Sequence, residues 1–167
     1  MNYVGIDCGL DGAICVIGSS GRILSTRRMP TVKKGKGREI DLPELWNLIK
    51  FPVPVGDYTI GIEDPGGHAA SAAGLRSMTY SFAAVMMCVV ISKHRHTIYS
   101  AVEWQRVFWK KPKMAKGQKF NTKAAALVAA KRLWPDQGFL ATAKSKVPHD
   151  GIVDALLIAE ATRRIFK

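Results

Sequence analysis

The chain has 167 residues, 47% of them hydrophobic, which is enough for one full core and too little for two ordinary domains. Its 25 Lys and Arg against 13 Asp and Glu leave a formal charge of +12, which favours phosphate-rich partners without distinguishing DNA, RNA or an anionic membrane. Three cysteines, at positions 8, 15 and 88, form no CxxC pair and leave an odd count, so neither a disulfide framework nor a zinc site is indicated.

The N-terminus enters a strand-like run that contains an aspartate rather than a basic region and an apolar stretch. No secretory leader is expected, and the protein is expected to keep its cysteines reduced in the cytoplasm. Tyr3 to Cys8 is apolar and β-favouring, Gly9 to Gly12 carries turn chemistry, and Ala13 to Gly18 resumes the apolar run. The Ser19-Ser20-Gly21 turn then leads into Arg22 to Met29, completing a three-stranded meander. Thr31 to Arg38, TVKKGKGR, reads as an exposed basic loop with no core of its own, either a phosphate-contacting flap or a merely solvated segment.

A short helix is expected from Asp41, with Asp41 as N-cap, Pro43 in the first turn and Leu45, Leu48 and Ile49 on its apolar face, until Pro52 and Pro54 stop it. Asp57 to Glu63 reads as a buried strand, and Asp64-Pro65-Gly66-Gly67 turns the chain into a long helix from near Ala69 to about Ser92. The apolar part of that helix, Tyr80 to Ser92, falls short of the about 18 residues a membrane span requires, and Arg76 and Lys93 flank it. A buried core helix is expected instead, with no membrane partner.

His96 to Ser100 suggests another strand, and Ala101 to Phe108 a short helix carrying Trp104 and Phe108. Trp109 to Asn121, WKKPKMAKGQKFN, is basic and aperiodic, a loop. Asn121 or Thr122 caps a helix from Lys123 to Trp134, and the last helix runs from about His149 to Arg164. This order of elements predicts one compact α/β domain with a mixed sheet covered on both faces.

Four acidic residues stand out in this layout. Asp7 ends the first strand and Glu63 the fourth, each within an apolar run, and a buried ionised carboxylate is costly unless it is paired or bound to a metal. Asp7 also suits a turn that caps the Gly9 and Leu10 amides; glutamate is a poor turn former, so Glu63 resists that reading. Asp150 and Asp154 lie one turn apart on one helical face, where like charges repel unless a cation lies beside them. Asp150 alone would be an ordinary first-turn residue, whereas Asp154 sits inside the run Ile152 to Ile158. Asp11, in Leu10-Asp11-Gly12, reads as a hairpin-turn residue. Oxygen ligands from strands and a helix suit a hard divalent cation, and an acidic pocket in a basic protein points to metal-dependent chemistry on nucleic acid.

The run Gly5-Ile6-Asp7-Cys8-Gly9-Leu10-Asp11-Gly12-Ala13-Ile14 resembles the opening strand and turn of RuvC-like Holliday junction resolvases, in the ribonuclease H-like superfamily. Ile62-Glu63-Asp64 resembles that family's second acidic motif, and His149 to Ala159 its last, with Asp150 and Asp154 four apart around Gly151 as in compact phage-type members. The resemblance implies a ribonuclease H-like fold, with a five-stranded mixed sheet of three antiparallel and then parallel strands. It implies Asp7, Glu63, Asp150 and Asp154 as catalytic metal ligands for two Mg²⁺ ions, with Mn²⁺ as a possible substitute and no small-molecule cofactor. It further implies two-metal hydrolysis leaving 5′ phosphates, and a C₂ homodimer that nicks a four-way junction symmetrically, formed through the long helix with Met78, Met86 and Met87. His149 would either support the site or simply start its helix.

On that reading Lys110, Lys111, Lys113, Lys116, Lys119, Lys123 and Arg76 are the candidate DNA contacts, with Lys119 or Lys123 nearest the scissile phosphate. Arg27, Arg28, Lys33, Lys34, Lys36 and Arg38 would form a second contact. Trp104, Trp109 and Phe120 would either stack on unpaired bases or pack the core. Another ribonuclease H-like nuclease, acting on branched DNA or RNA–DNA hybrids, would keep the same acids. A sugar-kinase or actin-like ATPase would need a second domain and a second phosphate loop, and a non-catalytic binding module would leave Glu63 and Asp154 without a purpose.

Overall fold

Residues 1–52, 56–66, 71–115 and 117–166 are described here from a computed structural model. The elements follow one another as β1 (Asn2–Asp7), β2 (Ala13–Gly18), β3 (Ile23–Arg28), β4 (Thr31–Lys34), β5 (Gly37–Ile40), α1 (Leu42–Lys50), β6 (Tyr58–Asp64), α2 (Ala72–Ser92), β7 (Arg95–Ser100), α3 (Ala101–Gln105), α4 (Thr122–Leu133) and α5 (Asp150–Ile165). Five strands form one sheet in the order β3-β2-β1-β6-β7, antiparallel through the meander and parallel from β1 to β6 to β7. The expected mixed sheet is therefore the one observed.

Period-two alternation along the strands sorts side chains between two cores. Val4 and Ile6 of β1, Ile14 and Val16 of β2 and Ile60 and Ile62 of β6 face Leu45 and Ile49 of α1 and Val85 and Val89 of α2. Tyr3, Ala13, Cys15 and Ile17 face the opposite layer, made by Trp104 of α3, Ala126 and Ala130 of α4 and the apolar length of α5. Helix α5 is buried almost all round, from Gly151 through Thr162 with Asp154 as the one break, because it lies directly on the sheet beneath α3 and α4.

Local signals explain most boundaries. The Asp41 carboxylate accepts the Glu44 N–H to start α1, with proline in the first turn, and the Asn121 side chain accepts the Ala124 N–H to start α4. Three expectations change. Thr31 to Arg38 is a two-stranded β4–β5 hairpin rather than a loop; it is exposed as expected, but backbone pairing and a Lys34–Glu39 ion pair order it, with Ile40 buried at its base. The short helix after β7 ends at Gln105, giving way to turns before Phe108.

Helix α2 departs most from expectation. Its expected start near Ala69 lies outside the described residues; it is described from Ala72, with the Ser71 hydroxyl accepting the Gly74 N–H. Only the stripe of Ser81, Val85 and Val89 is buried, while Tyr80, Met87, Val90 and Ile91 are exposed, so it is not a buried core helix. Apolar residues surround this helix on every side, but α1 shares the sheet face beneath it and leaves room for one stripe. Among the described residues α2 is the one helix whose length and composition would suffice to cross a membrane.

Candidate functional site

The carboxylates are brought together by strand register. Parallel pairing of β1 with β6 runs through Ile6 opposite Ile62, so Asp7 and Glu63 come next on neighbouring strands and project to the same face. On that face each strand carries a glycine two residues earlier, and both positions are occupied by α5. A Cβ on Gly5 would lie 1.9 Å from the Ala155 carbonyl oxygen, and one on Gly61 would lie 2.1 Å from the Thr162 hydroxyl. The helix thus rests on bare backbone, which holds Asp154 close to the strand ends. A Cβ on Gly151 would come within 2.3 Å of the Asp11 carbonyl, so the first turn of α5 meets the β1–β2 turn just as closely.

At the start of α5, His149 is the N-cap, its Nδ1 accepting the Ile152 N–H at 3.4 Å. Asp150 follows in the first turn, where the helix dipole favours an acid, and takes an ion pair from Lys123 Nζ of α4 at 2.5 Å. Both partners of that pair are largely exposed. Asp154, one turn on, is mostly enclosed.

Burial dominates the electrostatics. It raises Asp7 above the ordinary carboxylate range; the Gly9 N–H, donating to Oδ1 at 3.1 Å, and nearby His149 oppose the rise, while Asp11 and Asp150 add to it. The turn-capping role read for Asp7 from sequence is therefore real for Gly9, and it uses one carboxylate oxygen only. Burial, then the charges of Asp7 and Asp154, push Glu63 up to about 8. Burial, then Asp7 and Asp150, push Asp154 up to about 7, against the pull of Lys123. Glu63 feels Asp7 and Asp154, and Asp154 feels Asp7 and Asp150, so these acids occupy one electrostatic locale that is short of positive charge. Such groupings of mutually perturbed carboxylates mark functional sites more often than structural ones.

Trp104 adds a contact that sequence reasoning missed. Only 1% exposed, it is a core residue and not the base-stacking surface offered as one reading. Its indole N–H lies near enough to Glu63 to lower that carboxyl's pKa, yet it closes no hydrogen bond of normal geometry among the described residues. The helix α3 that carries it follows β7, whose Tyr99 pairs with Glu63. An orphaned buried donor beside an uncompensated carboxylate is a tense arrangement, and it shows that Glu63 is not neutralised from behind.

Asp7, Asp11, Lys123, His149, Asp150 and Asp154 line an open cavity of about 610 Å³, with Glu63 within reach of its charges but not on its wall. All the acidic donors are oxygens, which fits a hard divalent cation better than a zinc or iron site. Among the described residues no group of three or more His, Cys, Asp or Glu side chains is already closed into a ligand set. The fit therefore rests on the chemistry of the donors and their shared field rather than on a preformed cage.

The other candidates fall in several places. Lys110 and Lys111 line a second cavity beside α3, and Lys113 and Lys119 are exposed in the loop before α4. Lys116 lies outside the described residues. Arg76 is exposed on α2, the helix that packs on the sheet face opposite to α5. Arg27 and Arg28 line a separate cavity of about 300 Å³ against Glu44 and Leu48 of α1. Asp11, read as a turn residue, does occupy the β1–β2 turn, and it also pairs with Arg38, tying the β4–β5 hairpin to the rim of the site. No spacing in the chain announces that pair.

No protein-family model and no curated protein sequence matches this chain. Solved structures do. The chain superposes on RuvC of Thermus thermophilus in complex with a Holliday junction substrate with a TM-score of 0.63 and 14% identity, over 96% of this chain and 91% of that one. A second Thermus thermophilus RuvC structure gives a TM-score of 0.57 and 13% identity, over 99% and 97% of the two chains. At such identities the likeness is one of fold, and the fold of this chain is RuvC-like, of the ribonuclease H-like class.

Proposed function

We propose that this chain is a divalent-cation-dependent endonuclease that resolves four-way DNA junctions by paired nicks. The observation that carries the reading is the gathering of Asp7, Glu63 and Asp154 from β1, β6 and α5 into one buried set, in which the charge of Asp7 raises both of the other carboxyls. The substrate class is supported by the +12 formal charge and by a similarly folded protein having been solved on a Holliday junction.

Asp7, Glu63 and Asp154 would hold the cations, joined by Asp150 at the exposed rim; Mg²⁺ is the expected ion and Mn²⁺ a substitute. When bound, two such ions supply charge neutralisation at the scissile phosphate and a lowered pKa for the attacking water. The protein's own part is positional. The glycine contacts of α5 fix the carboxylates against the strand ends, so little rearrangement is needed at the moment of reaction. Lys123, close to Asp150 and within the field of Asp154 and Asp7, is placed to receive a phosphate oxygen, and Lys110, Lys111, Lys113 and Lys119 extend the positive track. His149 holds the α5 N-terminus in register beside Asp7.

Symmetric nicking calls for two active sites, and the exposed face of α2 that carries Tyr80, Met87 and Ile91 is where a second copy would pack. The whole 167-residue chain would act as one nuclease domain in the cytoplasm, with Cys8, Cys15 and Cys88 as thiols. The deciding experiment incubates the protein with an end-labelled four-way junction, with and without Mg²⁺, beside a linear duplex and an RNA–DNA hybrid. Symmetric, religatable nicks that require Mg²⁺ and vanish in Asp7→Asn are expected. Cleavage of the hybrid alone would move the protein to another activity of the same fold, and nicking that persists in Asp7→Asn would end the site assignment.

A further inference from the structure

A cavity beside α3 lies outside the carboxylate site. It measures about 470 Å³, within the roughly 300–1,000 Å³ usual for small-molecule sites, and is lined by Val102, Gln105, Arg106, Trp109, Lys110 and Lys111. We infer that this cavity binds one unstacked DNA nucleotide, its base against Trp109 and its phosphates on Arg106, Lys110 and Lys111. The inference deepens the nuclease reading and rests on it for the choice of DNA.

The aromatic wall is braced. Trp109 meets Trp104 edge-on, with centroids 5.9 Å apart and an interplanar angle of 86°, and it lies 6.3 Å from Phe108. Trp104 is locked in the core at 1% exposure, so Trp109 has a rigid backing. Val102, which lines the same cavity, is an apolar side chain left 53% exposed. An indole and an aliphatic side chain lining one cavity offer an apolar slot that suits the face of a base, and every base has such a face.

The charges fit the rest of the nucleotide. Among the described residues no carboxylate lines the cavity, and none of Arg106, Lys110 and Lys111 forms an ion pair. Glu103, the one acid of α3, is engaged in its capping box, accepting the Ser100 N–H and hydroxyl at 2.7 Å each. Position completes the case. Trp104 backs the indole of Trp109 on one side and lies by the Glu63 carboxyl on the other, so the slot and the cleavage site share a single intervening ring. A base pulled from the stack at a junction crossover would seat there while its strand passes the carboxylates.

The test measures anisotropy of labelled oligothymidylate, four-way junction and blunt linear duplex in EDTA, where binding is separated from cleavage. Loss of one base–indole stack weakens binding roughly 5- to 150-fold, so Trp109→Ala should lose affinity in that range for oligothymidylate and junction. Trp109→Phe should keep most of it. Because Trp109 also touches the core, Val102→Glu supplies a second variant at an exposed position; it sets a carboxylate against the phosphates and should weaken the same two ligands at an unchanged melting temperature. Duplex, whose bases stay stacked, should bind the parent and both variants within about twofold. Oligothymidylate binding by Val102→Glu within twofold of the parent, or an equal loss on duplex, would overturn the inference. Junction cleavage by the parent is scored separately: variants that lose oligothymidylate while the parent cuts no junction would keep the slot and discard the resolvase reading.

Discussion

Glu160 and Asp154 stand on the same helix, both enclosed, and their surroundings differ in one respect. Glu160 is 2% exposed and receives Arg163 Nε at 2.7 Å and Arg164 Nε at 2.8 Å. Burial alone would raise its carboxyl, yet these two guanidinium groups hold it below the ordinary value. Asp154 and its neighbours Glu63 and Asp7 have no arginine partner among the described residues, and burial drives all three upward. One end of α5 therefore carries a buried acid that the fold neutralises, and the other carries buried acids left for something outside the chain to neutralise. The first pattern stabilises a fold; the second stores a demand for positive charge that a divalent cation and the reaction it supports would meet.

The contrast breaks most sharply in the activity of the uncompensated end. Asp7→Asn, Glu63→Gln and Asp154→Asn should each lower Mg²⁺-dependent junction cleavage by more than about 100-fold, beyond the 10–100-fold typical of losing a supporting residue, while junction binding in EDTA holds or tightens. Cleavage rates and anisotropy on the purified variants decide this. At the compensated end Arg163→Met should instead cost stability and leave the rate per folded molecule intact. Stripping one partner from a buried pair typically costs about 3–5 kcal/mol, and the bond kept by Arg164 places this variant below that range in a denaturant titration.

Stability against pH provides a finer test. Glu63 and Asp154 have folded-state values raised to about 8 and about 7, from ordinary values of 4.5 and 3.8. The folded state thus holds protons that the unfolded state releases, so their contribution is fully present below about pH 4 and is lost as pH rises through about 7 to 8. Without divalent cations the protein should melt at a falling temperature across that window. Glu63→Gln and Asp154→Asn should melt higher than the parent at pH 8.5, at about 2–4 °C per kcal/mol, and no higher at about pH 3. Glu160→Gln should show no such gain.

The smallest effect belongs to Lys123→Ala. Its pair with Asp150 is exposed and screened, so stability should shift by under about 1 kcal/mol. If Lys123 reaches phosphate, the slope of log affinity against log salt should fall by about 0.9 for duplex arms. An unchanged slope would confine Lys123 to its partner Asp150.

Much of this arrangement was legible in the residues themselves. Continuous apolar, β-favouring runs marked β1, β2 and β6, Asp41 and Asn121 marked their helix starts, and single acids within apolar runs marked Asp7, Glu63 and Asp154. The β4–β5 hairpin escaped because TVKKGKGR has no apolar alternation; its order comes from backbone pairing and from Glu39 and Asp11, one outside that stretch and one in a distant turn. The exposure of α2 escaped because composition does not say how many helices share a sheet face. The glycines were present but unread: Gly-Ile-Asp at 5–7 and Gly-Ile-Glu at 61–63 repeat one pattern, whose glycine makes room for a helix and whose acid follows two residues later on the same face.

The chain's local chemistry was sufficient to decide most of the strands and helices, where several helices begin, and which acids are too deep in apolar surroundings to be ordinary surface charges. These are short-range properties, set by side-chain periodicity and by backbone groups within a turn or two of one another. Packing alone decided that Asp7, Glu63 and Asp154 share a field, that Lys123 guards Asp150, and that Trp104 stands between Glu63 and the Trp109 slot. Those relations depend on β1–β6 register and on α5 settling against bare glycine backbone, which couple residues far apart in the chain and leave no local trace.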